Sequence, residues 1–221
     1  MQAMSLAAPG GIDQLALVDV EPRAPSSHEI QVAIKATSLN FHDYAVVVGL
    51  IPAADGRIPM SDGAGVVTAV GDAVSDFSVG DNVISHFFPK WFSGRPTAAC
   101  LQGVPGDHVD GFAARSVTMP AAAFSRSPKN LSHIEAATLS CAGLTAWRAL
   151  CVETDLKPGD WVLVQGSGGV SVFALQFARM MGCRVIATSS SDAKLERLKE
   201  LGAEHLINYR ENSDWGTTAF E

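Results

Sequence analysis

Residues 163–171 read Leu-Val-Gln-Gly-Ser-Gly-Gly-Val-Ser, an apolar run that enters a glycine-rich turn and leaves it at helical spacing. Gly166–Ser171 fits the pattern G-x-G-x-x-G, except that Ser171 stands in the place of the third glycine. Glycines let a backbone approach a pyrophosphate closely, and the free N–H groups and dipole of the following helix favour its negative charge. Gly166, Ser167, Gly168, Gly169 and Val170 are therefore the expected pyrophosphate contacts; a tight turn without a ligand is the alternative. Ser171 is small, so close helix–strand packing survives the loss of the third glycine.

In dinucleotide sites an acidic residue at the end of the second strand binds the ribose hydroxyls. Ser189, 23 residues after Gly166, opens a Ser-Ser-Ser-Asp run instead. Without that carboxylate a 2′-phosphate is not repelled, and Ser189, Ser190, Ser191 and Lys194 can bind one, with Arg210 further along as another cation. This favours NADP(H) over NAD(H). Capping of the next helix by Ser191 is a second reading, compatible with the first.

The elements that must hold these residues follow from periodicity. Trp161–Gln165, Arg184–Ser189 and His205–Asn208 read as short apolar strands. Between them, a helix from the glycine turn to Gly182 sets Val170, Phe173, Ala174, Phe177 and Met181 on one face, and its other face is also largely apolar. A second helix after Ser191 carries a Leu195, Leu198, Leu201 stripe closed by Gly202. Strand, helix, strand, helix, strand is a βαβαβ unit with a parallel sheet and right-handed crossovers. Earlier in the chain the signals change. Residues 30–40, 63–74 and 80–88 are alternating or short apolar runs punctuated by glycine, as in a β-rich domain, and residues 89–109 form a long polar segment that is either an active-site wall or a mobile excursion. Ser132-x-x-Glu135 has the form of a capping box. Two domains are expected, 1–125 and 126–221.

Composition narrows the function. A formal net charge of −7 leaves no broad basic surface for a phosphate backbone, so nucleic acid is excluded as the main partner. The apolar stretches are too short to span a bilayer, and no basic flank leads into a signal-like segment. Cys100, Cys141, Cys151 and Cys183 lie far apart without C-x-x-C spacing, which fits a reducing cytoplasm and argues against a disulfide framework or a zinc ribbon. Most of them are expected to be buried free thiols.

Taken together, residues 63–83, 143–150, 162–171 and 201–211 resemble, in order and spacing, the medium-chain dehydrogenase/reductase superfamily, in particular its zinc-free, quinone-oxidoreductase-like branch. The resemblance covers nearly the whole chain. It implies a GroES-like, β-barrel-like N-terminal domain followed by a Rossmann doubly wound parallel sheet. It also implies hydride transfer from NADPH to a small electrophile such as a quinone or α,β-unsaturated carbonyl. An alcohol or aldehyde dehydrogenase and a non-catalytic NADPH-binding protein are the rivals. A Rossmann domain has a second half and a usual dimer edge, and this sequence ends after the third strand. It therefore reads as truncated within the nucleotide domain, with a homo-oligomer expected for the full-length form.

The same resemblance speaks to the metal and the site. In zinc-dependent relatives a cysteine, a His-Glu pair and a second cysteine hold the catalytic metal; those positions are Asn40, Ser61-Asp62 and Cys141 here, and only Cys100 falls in the structural-zinc segment. One soft ligand beside an amide and a hydroxyl does not make a tetrahedral site, so no zinc is expected. Asn40 and Asp43 match the zinc-free reductases, Thr145 matches a threonine against the nicotinamide, and Lys194 and Tyr209 match positions that hold the 2′-phosphate. Tyrosines found after that Asn-x-x-Asp motif are replaced here by Ala45 and Ile51. His42 aligns with a proton-relay hydroxyl and is a candidate proton carrier, or else a hydrogen-bonded loop histidine; Tyr44 is another candidate donor.

Overall fold

Alternation sets the first half of the molecule. A computed structural model describes all 221 residues. Strand β1 (Gln2–Leu6) pairs antiparallel with β2 (Leu15–Asp19) as a separate ribbon. A five-stranded antiparallel sheet follows, built from β3 (Glu29–Ala36), β4 (Ala64–Val70), β5 (Asn82–Ser85), β6 (Ser116–Pro120) and β7 (Phe124–Arg126) in the order β6-β3-β4-β5-β7. On β3 the side chains of Ile30 and Val32 are fully buried, as the period of two requires, and they join Val67, Val83, Phe112, Val117 and Phe124 in one core. Phe112 and Phe124 meet edge to face at 6.2 Å. This is the expected β-rich unit.

Two short helices serve it. Helix α1 (Phe41–Val47) begins where β3 has run out, and α2 (His133–Ala137) carries the expected capping box, with Ser132 Oγ accepting from the Glu135 N–H. Small residues of α2, Ala136 and Ala137, are fully buried against Ala64. Residues 126–141 thus belong with the first compact unit, Met1–Cys141, and the second is Ala142–Glu221. Periodicity groups α2 with the later helices, but its burial is against the antiparallel sheet.

The second unit holds α3 (Leu144–Cys151), β8 (Trp161–Gln165), α4 (Gly169–Met180), β9 (Arg184–Ser189), α5 (Asp192–Glu200), β10 (His205–Asn208) and α6 (Trp215–Phe220). Its three strands are parallel in the order β10-β9-β8, the first half of a doubly wound sheet. All three strands coincide with the segments read from the sequence. The two faces of α4 do different things. Leu175 and Ala178, fully buried, meet the sheet core of Val162, Val164, Val185 and Ala187. The face of Phe173 and Phe177 is only half-buried; the two rings stack at 5.7 Å, and Trp147 of α3 meets Phe177 edge-on at 5.6 Å. Val170, expected on that packed face, is exposed at the helix start. The leucine stripe of α5 is likewise shorter than its spacing suggests: Leu195 and Leu198 are buried, whereas Leu201, at the helix end, is exposed.

Of the four cysteines all are free, but only Cys183 is fully buried. No helix is long and apolar enough to cross a membrane.

Leu175→Ala is expected to destabilise the second unit by about 2–5 kcal/mol, the usual cost of a buried leucine lost to a cavity, whereas Leu201→Ala stays within about 0.5 kcal/mol. Urea unfolding of the two variants, followed by tryptophan fluorescence, measures the difference.

Candidate functional site

Each compact unit carries one constellation. In the second unit, Gly166 takes a left-handed conformation (φ 81°) and its N–H donates to Thr188 Oγ1 at 3.2 Å, tying the turn to β9. A side chain at Gly166 or Gly168 would meet no atom within 4 Å, so the turn encloses open space. Helix α4 starts directly after Gly168, and its first-turn N–H groups have no intrahelical acceptor. Ser171, in the third glycine's place, turns its hydroxyl back to donate to Gln165 O at 2.8 Å and closes strand, turn and helix together. Unpaired amides around an open glycine turn fit the pyrophosphate of a nicotinamide dinucleotide.

At the end of β9 the expected set divides. Ser189 is buried, and its carbonyl accepts from the Tyr209 N–H at 3.1 Å, so its hydroxyl does not face outward with the others. Ser190 and Ser191 are half-buried, and Lys194 and Tyr209 are exposed. Ser191 occupies the N-cap position of α5 without donating or accepting a capping bond through its side chain, which leaves that hydroxyl available. Asp192, the carboxylate of the run, is engaged by Asn208 Nδ2 at 2.7 Å. Thr145 is exposed on α3, and Arg210 is exposed just beyond β10.

The first unit gathers a polar cluster around the start of α1. Asp43 is buried; its Oδ2 accepts from the Asn40 N–H and its Oδ1 from the Ser61 N–H, each at 2.8 Å. Asn40 Nδ2 donates to Asp62 Oδ2 at 2.8 Å and reaches Ser61 Oγ at 3.4 Å. His42 Nε2 pairs with Asp107 Oδ2 at 3.0 Å, while its Nδ1 lies 3.7 Å from Asp43 Oδ1, too far for a hydrogen bond. Phe87 closes over the imidazole edge-on at 5.0 Å. Tyr44 is exposed and stacks obliquely on Phe41, Ala45 is buried, and Ile51 is half-buried.

Asp107 is absent from the set read in the sequence. It comes from residues 89–109, whose last part, Gly103–Asp107, is buried and forms a wall of the site. The segment's polarity concealed this, because a carboxylate in an irregular loop has no periodicity to betray its burial. Met60, beside Ser61, is the one non-glycine residue with positive φ (81°). Its strain is held in place by the Phe112 N–H, which donates to Met60 O at 2.9 Å, and by Gly111, where any Cβ would lie 2.1 Å from that oxygen.

Electrostatics differ sharply within the cluster. His42 is held above its ordinary pKa, chiefly by the close approach of the Asp43 carboxylate, against burial and with help from Asp107. Burial would raise Asp43, but His42 and the Asn40 and Ser61 donors hold it below the usual carboxylate range. Asp62 goes the other way: burial pushes it up to about 7, Asn40 opposes, and the charge of Asp43 adds to the rise. Burial, with both carboxylates nearby, pushes the Cys141 thiol up to about 12. An amide and a hydroxyl beside one carboxyl and one thiol are not the three or four nitrogen and sulfur donors that a tetrahedral zinc site takes. No group of three or more His, Cys, Asp or Glu side chains is placed to hold a metal ion.

The His42 stabilisation has a defined pH window. With the folded pKa raised, it is complete below the unfolded value near 6.5 and fades as pH rises through the folded value. Asp107→Asn is expected to lower stability by about 1.5–3 kcal/mol at pH 6 and by less at pH 9, read as the melting temperature against pH.

Comparison with known proteins places these features. Residues 26–129 match the family model described as alcohol dehydrogenase GroES-like domain, and residues 169–220 match that described as zinc-binding dehydrogenase. A zinc-type alcohol dehydrogenase-like protein of Schizosaccharomyces pombe is 44% identical over 216 residues, covering 96% of this chain and 62% of its own length. Among solved structures, a putative alcohol dehydrogenase from Sinorhizobium meliloti superposes with a TM-score of 0.91 at 42% identity, over 98% of this chain and 64% of that one. The Escherichia coli quinone oxidoreductase complexed with NADPH superposes with a TM-score of 0.80 at 26% identity, over 96% and 60%. The chain thus spans about three-fifths of the length of these relatives. With a GroES-like antiparallel unit, a Rossmann-like βαβαβ unit and both family models in sequence order, the chain belongs to the medium-chain dehydrogenase/reductase superfamily.

Proposed function

We propose that this chain carries the acceptor-binding unit and the first nucleotide-binding half of an NADPH-dependent, zinc-free oxidoreductase that reduces a quinone or an α,β-unsaturated carbonyl. The observation that carries this reading is the open glycine turn at Gly166–Gly168 feeding α4, beside a strand, β9, that ends in serine where a ribose-binding carboxylate would stand. NADPH, when bound, supplies the hydride. The first-turn amides of α4 bind the pyrophosphate, and Ser190, Ser191, Lys194 and Tyr209 meet the 2′-phosphate. Thr145, exposed on α3, contacts the nicotinamide. The NADPH in the solved Escherichia coli quinone oxidoreductase supports the same cofactor.

In the first unit, Asn40 meets the oxygen of the acceptor, and Asp43 holds Asn40 and His42 in place. His42, set between Asp43 and Asp107, keeps a proton that can be passed on as negative charge develops on that oxygen. The donor set around Asp62 and Cys141 supports a reaction without zinc. The names of the alcohol dehydrogenase relatives favour a second reading, in which the acceptor is an aldehyde; stoichiometric zinc after gentle purification would decide for it. The proposed partner is a small electrophile, with self-association in a form of the relatives' full length.

Titration with NADPH and with NADH, read by nicotinamide fluorescence, is expected to show saturable binding with NADPH preferred. Lys194→Ala should weaken NADPH about tenfold and leave NADH unchanged, as loss of one charge-assisted contact implies. NADPH binding without its oxidation across a panel of quinones and enones would identify a non-catalytic binder. His42→Ala is expected to lower turnover at least tenfold with NADPH affinity unchanged; equal turnover in variant and parent removes His42 from the reaction.

A further inference from the structure

Asn40 is placed to meet a ligand, yet its amide is turned the wrong way for an oxyanion. Its side chain is half-exposed, and both N–H bonds point inward, one to Asp62 Oδ2 at 2.8 Å and the other toward Ser61 Oγ at 3.4 Å. Only its carbonyl oxygen is left, and that group accepts and cannot donate. What holds the amide in this sense is Asp62, which is fully buried and whose Oδ1 has no hydrogen-bond partner.

Asp62 is poorly supplied with positive charge. From α1 it is faced by Asp43 and His42, and from the turn at 139–143 by Cys141. His42 is the only cation among these groups, and it already lies between Asp43 and Asp107. Asp107 has a second imidazole beside it, His108 Nδ1 lying 3.3 Å from its Oδ1, whereas Asp43 and Asp62 have His42 alone. Asp43 and Asp107 accept from backbone N–H groups, of Asn40 and Ser61 and of His108 respectively, whereas Asp62 has only the Cys141 N–H nearby, which lowers its pKa less than burial raises it. Asp62, with one unpartnered oxygen, is the group on which a proton costs least.

We propose that Asp62 is a positioning residue whose proton decides which end of the Asn40 amide is presented outward. As a carboxylate it accepts from Asn40 Nδ2, and the amide offers an acceptor. As a neutral acid its O–H donates to Asn40 Oδ1 once the amide turns over, and the NH2 group then points to the ligand. The turn exchanges two atoms of nearly equal size, and it gives up the approach of the Asn40 side chain to the Asp43 N–H in the capping box of α1. Asp62 itself never touches the substrate. The assignment rests on the reading of Asn40 as the residue that meets the acceptor oxygen; only the donor form stabilises negative charge there. The carboxyl, pushed up to about 7, titrates where such a device is useful.

Two measurements test this, and only one needs turnover. In the 221-residue chain labelled with 15N-asparagine, the Asn40 side-chain resonance, identified by its absence in Asn40→Ala, is expected to shift with a single midpoint near 7. The shift should vanish in Asp62→Asn, whose amide donates to Asn40 Oδ1 at every pH. An Asn40 signal constant from pH 5 to 9, or an unaltered titration in Asp62→Asn, overturns the proposal whether or not any acceptor is reduced. With an active acceptor, turnover should fall as much as about 30-fold from pH 6 to 8.5, the ratio of protonated fractions for one group titrating near 7. Asp62→Asn should keep its low-pH rate across that range. A pH profile identical in parent and Asp62→Asn also overturns it. Absence of NADPH oxidation in both proteins counts instead against the proposed reaction and leaves the amide titration to decide on Asp62.

Discussion

One buried carboxylate organises the first unit's functional end. Asp43 takes the Asn40 N–H at the start of α1 and the Ser61 N–H at the entry to β4, and it faces the imidazole of His42. Two segments far apart in sequence are thereby fixed to one point, and the charge of Asp43 is retained despite burial only because these donors and His42 oppose desolvation. The rest of the cluster follows. His42 must stay near both Asp43 and Asp107, and its charge acts on Asp62, the remaining carboxyl, less than burial does. The strained backbone of Met60 is tolerated because it delivers Ser61 and Asp62 to this position.

The second unit works by the opposite means. Its candidate site depends on what is missing: side chains at Gly166 and Gly168, and intrahelical acceptors for the first amides of α4. Beneath it, Leu175 and Ala178 pack α4 against the parallel sheet. Ser171 shows how such a turn tolerates a departure from three glycines, since its hydroxyl makes a bond to Gln165 O that a glycine would lack.

The resemblance to the zinc-free branch implies no metal at Asn40, Ser61, Asp62 and Cys141, the positions that hold one in zinc-dependent relatives. Of the residues at these positions, Asn40, Ser61 and Asp62 are joined by hydrogen bonds, and the Cys141 thiol lies near the two carboxyl groups of Asp43 and Asp62. In the proposed reaction, an amide beside a neutral acid, a weaker electrophile than a divalent ion, would suit acceptors that already draw electron density toward their oxygen.

Much of this was legible without coordinates. The strands β8, β9 and β10, the glycine turn and the Ser132–Glu135 capping box follow from local periodicity and turn chemistry, which neighbours in sequence determine. Asn40, His42 and Asp43 are singled out by the resemblance of their stretch to the zinc-free reductases and, for His42, to a relay position in the zinc-dependent ones. Tertiary structure alone decided the rest. Asp107 joins His42 from 65 residues away, Ser189 is buried while Ser190 is not, and Leu201 escapes the core its stripe implies. Above all, the state of Asp62 depends on how many charges share its enclosure, a quantity that no spacing along the chain contains, because burial and Coulomb energy depend on distances through space.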